Sequence, residues 1–300
     1  MIILDIHEKI SKTGPFATFM GIADTHFLID TDDEQAYQPL DYDAYQYLKH
    51  CNKEIKENPE FYGKVYTFLG GDTTELHRSS VRKAMRVIKK NDSRAEDSLH
   101  KNIISQYVIP KVKVLTDKTT FIGGVAGNHM IEFSDESEGM GYKNSEAFII
   151  QRLGGKYCGE GLMLINYQIQ LGNQRCLKKI IIMHGTKGGS KTSIMRELAN
   201  LHNMCGKVDW LIKCHAHDPL DGFYCRYDFP DEASGRIKKH ECLVTCLGST
   251  RDGVKKGYDD YCERFLYSPS ASRFPVGIFY AHKPCSNNRT IDVKIRPLTM

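Results

Sequence analysis

No run of 18 apolar residues occurs in this 300-residue chain, so it offers no candidate for a membrane-spanning helix. There is no C-x-x-C pair either. Ten cysteines are scattered without tight pairing, which suits reduced, mostly buried thiols better than a disulfide framework. Cys242 and Cys246 stand four apart in a strand-like stretch and would share a face, and with His240 nearby a zinc site is conceivable there. The opening Met1-Ile2-Ile3-Leu4-Asp5 carries an acid where a secretion signal needs a basic lead and a longer apolar stretch, so the expectation is a cytoplasmic protein. A large excess of one charge is also missing. The net charge of +4 is too mild to mark a nucleic-acid binder by itself. Low-complexity linkers are absent, and 41% hydrophobic with 26% charged residues supplies ample material for a core.

One apparent motif is incomplete. Gly185-Thr186-Lys187-Gly188-Gly189-Ser190-Lys191-Thr192 looks like a nucleotide-binding P-loop, but Ser190 stands where the pattern needs Gly before Lys-Thr. The glycines more simply let the chain turn tightly, and Ser190 can cap a helix from Lys191 to His202.

What the chain does have is one pattern used five times: an apolar, strand-like run that stops at Asp, Asn or His. Ile22-Ala23 leads into Asp24-Thr25-His26, and Val65 to Leu69 into Gly70-Gly71-Asp72. Phe121 to Ala126 leads into Gly127-Asn128-His129, Ile180 to Met183 into His184-Gly185, and Trp210 to Lys213 through Cys214 into His215-Ala216-His217. An α/β sheet presents ligands at the carboxyl ends of its strands, and short buried strands ending in Gly-containing loops are built for that. Asp24, His26, Asp72, Asn128, His184, His215 and His217 together offer carboxylate, amide and imidazole donors. That mixture suits first-row transition metals better than Ca²⁺, which prefers oxygen cages. Two such ions roughly 3.5–4 Å apart can clamp a phosphate, acidify a water and stabilise a leaving oxygen. His129, adjacent to this set, is a candidate general acid.

These motifs, in this order, resemble those of the calcineurin-like metallophosphoesterases: D-x-H, G-D, G-N-H, a lone H, then G-H-x-H. The resemblance implies an α/β fold with two facing mixed β-sheets flanked by helices, a four-layer sandwich formed by residues 1–300 as a single domain. It implies that Asp24, His26 and His217 hold one divalent ion and Asn128, His184 and His215 a second, with Asp72 bridging and His129 beside the scissile phosphate. Mn is the favoured metal, with Fe, Zn or Ni as alternatives. Two positions depart from the pattern: Cys214 replaces Gly before the last His pair, and Met130 follows Gly-Asn-His where an acid is common. Cys214 would bring a thiol close to the metals, and Met130 removes a plausible orienting carboxylate.

For the substrate, Thr73-Thr74-Glu75-Leu76 follows the G-D motif in place of the Asp-Arg-Gly of protein phosphatases, which argues against a phosphoserine phosphatase. The His-Gly, glycines, helix and final His pair are more loosely similar to phage and prophage phosphoesterases. A metal-dependent phosphodiesterase or nuclease acting on DNA, RNA or nucleotides is therefore favoured. A small-molecule phosphomonoesterase and a non-catalytic phosphate- or nucleic-acid-binding module are the alternatives. Arg82 lies on a basic helix expected over Ser79 to Lys90 and Arg78 at its start, where they could steer an anionic substrate or form an ordinary solvated face. A second basic and tyrosine-rich stretch, Arg251 to Arg273, could stack bases or be a polar loop. Further helices are expected over Tyr42 to Glu57, Arg94 to Val108 and Lys143 to Leu153, and exposed loops over Asp30 to Glu34 and Ser134 to Gly141. Short strands after His217 are expected to complete a second sheet.

Overall fold

A computed structural model describes residues 2–28, 34–75, 93–133, 142–185, 191–217, 220–227, 239–248, 276–282 and 292–298. The chain is α/β, with two six-stranded mixed sheets. One sheet contains β2 (Gly14–Ile22), β4 (Lys64–Leu69), β6 (Thr120–Gly124) and β7 (Lys156–Tyr157), all parallel. It is extended beyond β2 by the antiparallel strands β13 (Val276–His282) and β14 (Asp292–Leu298). The other has the order β1 (Ile2–Ile10), β8 (Leu162–Leu171), β9 (Gln174–Met183), β10 (Trp210–His217), β12 (Lys239–Gly248) and β11 (Leu220–Tyr227). Here β9, β10 and β12 run parallel, β8 pairs antiparallel with β9 and β11 with β12, and β1 runs parallel to β8. A two-residue parallel pair, β3 (Phe27–Leu28) with β5 (Thr74–Glu75), lies outside both sheets.

Period-two alternation explains how the layers form. In β2 and β4, Ala17, Phe19, Tyr66 and Phe68 face one way, and Met20, Ile22, Val65 and Leu69 the other. The first set joins Met163, Ile165 and Tyr167 of β8, Ile180 and Ile182 of β9 and Trp210 and Ile212 of β10 in one buried cluster between the sheets. Its centre is aromatic: Phe19 stacks on Tyr66 at 4.8 Å and meets Tyr167 and Phe279 edge-on or tilted at 5.1 and 5.2 Å. Gly277 of β13 lies so close to the Trp210 ring that a Cβ would collide with it. The second set packs under the helices Glu34–Glu57, Ile109–Thr116 and Ser145–Arg152. On the far side of the other sheet, Ile181, Leu211, Val244, Cys242 and Cys246 are covered by Ile194 and Leu198 of the helix Lys191–Cys205.

Several differences from the sequence expectations have local causes. The helix expected to stop at Val108 changes to π geometry over Ile104–Val108 and then continues, with the Ile109 N–H bonded to Ile104 O. Pro110 has no N–H to give Gln106, and the wider turn absorbs that loss. The helix expected from Tyr42 begins at Glu34, and the rest of the loop expected over Asp30 to Glu34 lies outside the described residues. The strands after His217 do not complete one sheet: β11 and β12 join the sheet of β10, and β13 and β14 join that of β2. The basic helix over Ser79 to Lys90, the loop Ser134 to Gly141 and the stretch Arg251 to Arg273 lie outside the described residues. No described helix is long and apolar enough to cross a membrane.

Phe19→Ala removes the ring at the middle of the inter-sheet aromatic cluster, where the side chain is fully buried. It should cost about 3–5 kcal/mol in urea denaturation. A loss below about 1 kcal/mol would show that the two sheets do not depend on this contact.

Candidate metal centre

The parallel strands bring five strand ends to one edge. Asp24 follows β2, Asp72 follows β4 and Asn128 follows β6, all from one sheet. His184 follows β9 directly, and His215 lies within β10 of the other sheet. Short backbone bonds then tie the loops together. Asp24 N–H donates to Gly71 O at 3.0 Å, His26 N–H to Asp72 O at 3.0 Å and Phe27 N–H to Thr73 O at 2.9 Å. The Thr25 hydroxyl adds a bond to Thr73 O at 2.9 Å.

Backbone conformation sets these residues apart. Among the described residues, the non-glycine positions with positive φ are Asp24 (50°), His26 (44°), Asp72 (49°) and His215 (68°). Left-handed geometry at a residue with a Cβ costs of order 1–3 kcal/mol and persists only where the surroundings impose it. At His215 the cause is a bulge. Lys213 pairs with Cys246 and His217 with Gly248, so four steps of β10 span two of β12, and the ladder breaks where His215 turns.

Each carboxylate is anchored by a backbone N–H from another loop. Asp72 Oδ1 accepts from His129 N–H at 2.9 Å, and Asp24 Oδ2 from His215 N–H at 3.1 Å. Asp72 Oδ2 lies 3.0 Å from His184 Nε2 and 3.9 Å from His215 Nδ1, and Asp24 Oδ1 lies 4.0 Å from His26 Nε2. The His184 ring is oriented from behind: Nδ1 meets Gly70 O at 2.8 Å, which leaves Nε2 toward Asp72 and, at 3.0 Å, Asn128 Oδ1. His129 places its ring edge-on against His26, with centroids 5.0 Å apart. Asp24, His26, Asp72 and His184 are buried, whereas Asn128 and His129 are exposed at the rim. Gly127 is required here, because a Cβ at that position would overlap Asp72 Oδ1.

Donor atoms of Asp24, Asp72, His184 and His215 lie within 4.8 Å of one another, a group that could hold a metal ion. No other such group of His, Cys, Asp and Glu occurs among the described residues, so the zinc site conceivable at His240, Cys242 and Cys246 is not formed. Those two thiols do share a face, but it is the apolar one beneath Ile194 and Leu198. Cys214 does not join the centre either. It is fully buried in the inter-sheet core, and burial, then the Asp24, Cys246 and Asp72 charges, push its thiol far up, which keeps it protonated. His217 sits on β10 opposite Gly248, but its side chain lies outside the described residues, as do Arg78 and Arg82.

The electrostatics fit a cation. Burial penalises the Asp72 charge, yet bonds from His184 and His215 and the positive charges of His184 and His26 outweigh it and hold the carboxyl far below its usual range. Burial disfavours the His184 cation too, but the Asp72 bond, the Asp24 and Asp72 charges and the Gly70 carbonyl raise it to about 9.

Two further residues are not identifiable in the sequence pattern. Glu146, in the first turn of the helix Ser145–Arg152, is fully buried and accepts Thr73 N–H at 2.7 Å and the Thr73 hydroxyl at 2.8 Å. Burial pushes its carboxyl up to about 7; the two Thr73 bonds oppose the rise and the Asp72 charge adds to it. Asn144 caps that helix through Ala147 N–H at 2.8 Å and reaches Met130 Sδ at 3.1 Å, so the position where an acid was expected contacts a capping amide.

No family model and no curated protein matches this sequence. Among solved structures it is similar to a conserved uncharacterised protein of Streptococcus pneumoniae, described as a predicted phosphoesterase, at 11% identity and a TM-score of 0.33 over 95% of this chain and all of the other.

The raised His184 gives a pH prediction. Without metal, the protonated ring bridging Asp72 and Asn128 stabilises the fold below about pH 6.5, and that contribution is lost as pH rises through about 9. A metal ion needs the same nitrogen without its proton. Affinity for Mn²⁺ should therefore climb from pH 6.5 to about 9 with proton release, counted by calorimetry in buffers of different ionisation enthalpy. An affinity flat across that window would contradict the assignment of His184 as a ligand.

Proposed function

We propose that this chain is a metal-dependent phosphoesterase of the calcineurin-like type, using two divalent ions, with Mn²⁺ favoured, and acting on a phosphodiester. The observation that carries the reading is the convergence of Asp24, Asp72, His184 and His215, from four strand ends in two sheets, with three of the four in left-handed backbone. In this reading residues 1–300 form one catalytic domain, since both sheets contribute ligands, and the layers correspond to that family's four-layer sandwich. Asp24, His26 and His217 would hold one ion and Asn128, His184 and His215 the other, with Asp72 contributing to both. When bound, such ions supply Lewis acidity toward water and toward the phosphoryl oxygens.

The remaining work falls to the chain itself. The His129 backbone is fixed by its N–H bond to Asp72 while its ring stands exposed at the rim, where it can reach an oxygen that departs from phosphorus. His26 supports that ring edge-on and limits its swing. His129 is therefore the general acid that protonates the leaving oxygen. The basic stretches around Arg78 and Arg82 and from Arg251 to Arg273 support DNA or RNA as the diester.

One assay tests the reading: hydrolysis of bis-p-nitrophenyl phosphate and p-nitrophenyl phosphate with Mn²⁺ and then with EDTA. Diester turnover that EDTA abolishes is the expected result. His129→Ala should retain its metals yet lose roughly 10²–10⁴-fold in rate on esters with poor leaving groups, and less on p-nitrophenyl esters. Loss of metal from that variant would make His129 a ligand. Turnover of monoesters alone would favour the phosphomonoesterase.

A further inference from the structure

Thr73 occupies a junction. Its carbonyl accepts both the Phe27 N–H and the Thr25 hydroxyl, each at 2.9 Å, so it fastens the Asp24–His26 loop to the loop carrying Asp72. Its own N–H and hydroxyl both go to one carboxylate, that of Glu146, at 2.7 and 2.8 Å. Glu146 is fully buried, and both its oxygens are used in this way. The element that carries Glu146 is itself tied to the third loop: Ser145 N–H donates to Ile131 O at 2.9 Å, and Ser145 Oγ accepts Ile131 N–H at 3.0 Å, two residues beyond His129.

A buried carboxylate is costly unless fully hydrogen-bonded, and here its partner is a single residue next to Asp72. Packing alone would be served as well by Leu or Met on that helix face. A two-pronged acceptor fixes the Thr73 peptide, and thereby the left-handed turn at Asp72, in a way an apolar side chain cannot.

We infer that Glu146 is a positioning residue for the metal centre, acting through Thr73 to hold the Asp24 and Asp72 loops at ligating distance from each other. It touches neither substrate nor donor atoms. The inference rests on the metal-centre reading and adds to it a member from a different element, the helix Ser145–Arg152. That helix start then fixes three loops together: those of Asp24 and Asp72 through Thr73, and that of His129 through Ser145.

The test is Mn²⁺ affinity by calorimetry on the full chain, beside thermal melting in EDTA, for wild type, Glu146→Ala, Glu146→Gln and Thr73→Val. Glu146→Ala should bind Mn²⁺ about 10–100-fold more weakly, the range for loss of a group that orients ligands. Glu146→Gln should recover most of the affinity, because an amide still accepts from the Thr73 N–H and can donate to its hydroxyl. Thr73→Val, which keeps the peptide N–H bond and loses the hydroxyl, should fall between and remain informative if Glu146→Ala fails to fold. Adding Thr73→Val to Glu146→Ala should cost less than the sum of the two, since they share one interaction. Folded Glu146→Ala with wild-type affinity, or Glu146→Gln as weak as Glu146→Ala, overturns the inference. Wild-type protein that binds no Mn²⁺ overturns the metal reading itself.

Discussion

The Asp72 carboxylate is the constraint on which the arrangement of the centre depends. It is buried at the meeting point of two sheets, and a buried carboxylate costs several kcal/mol unless its charge and lone pairs are met. One oxygen is met by the His129 N–H and the other faces the His184 and His215 rings. Every loop at this edge is placed by that need. The third strand end has Gly127 because a side chain there would overlap Asp72, and His184 is oriented by Gly70, two residues before Asp72. With imidazoles on one side and Gly127 close on the other, the carboxylate belongs to a donor group that could hold a metal ion.

Holding it requires a rigid frame. Four left-handed non-glycine residues store strain of order several kcal/mol in total. The stabilising counterpart is the apolar cluster between the sheets, with Phe19, Tyr66, Tyr167, Trp210 and Phe279 at its centre, and the helices over the outer faces. The site therefore sits at the edge of that buried cluster, and strain at the edge is sustained by contacts further in. Functional geometry and fold stability are coupled here through strands β2, β4, β9 and β10, which carry both.

The sequence made the strand ends legible because both signals are local: an apolar run and the polar residue that stops it. Asp24, His26, Asp72, Asn128, His129, His184 and His215 stand together where those runs end. The helix over Ser145–Arg152 and the strand Val276–His282 were legible for the same reason. What depended on distant pairing was not. Glu146 meets Thr73 across 73 positions of sequence, and nothing in a Ser-Glu-Ala helix start announces that partner. Cys214 is near enough to the centre to feel the Asp24 and Asp72 charges, as its place beside His215 suggested, but alternation along β10 turns its thiol into the inter-sheet core and out of the donor group. The strands after His217 divide between the two sheets because pairing with β10 or with β2 is settled by tertiary packing, which short apolar runs do not encode.

Anomalous diffraction from crystals grown with Mn²⁺ tests directly whether Asp72 lies between two ions. Two metal peaks sharing the Asp72 carboxylate are expected, one on the side of Asp24 and His26 and the other on the side of Asn128, His184 and His215. Crystals saturated with Mn²⁺ that show no peak at Asp72, or only peaks elsewhere on the protein, would contradict that placement.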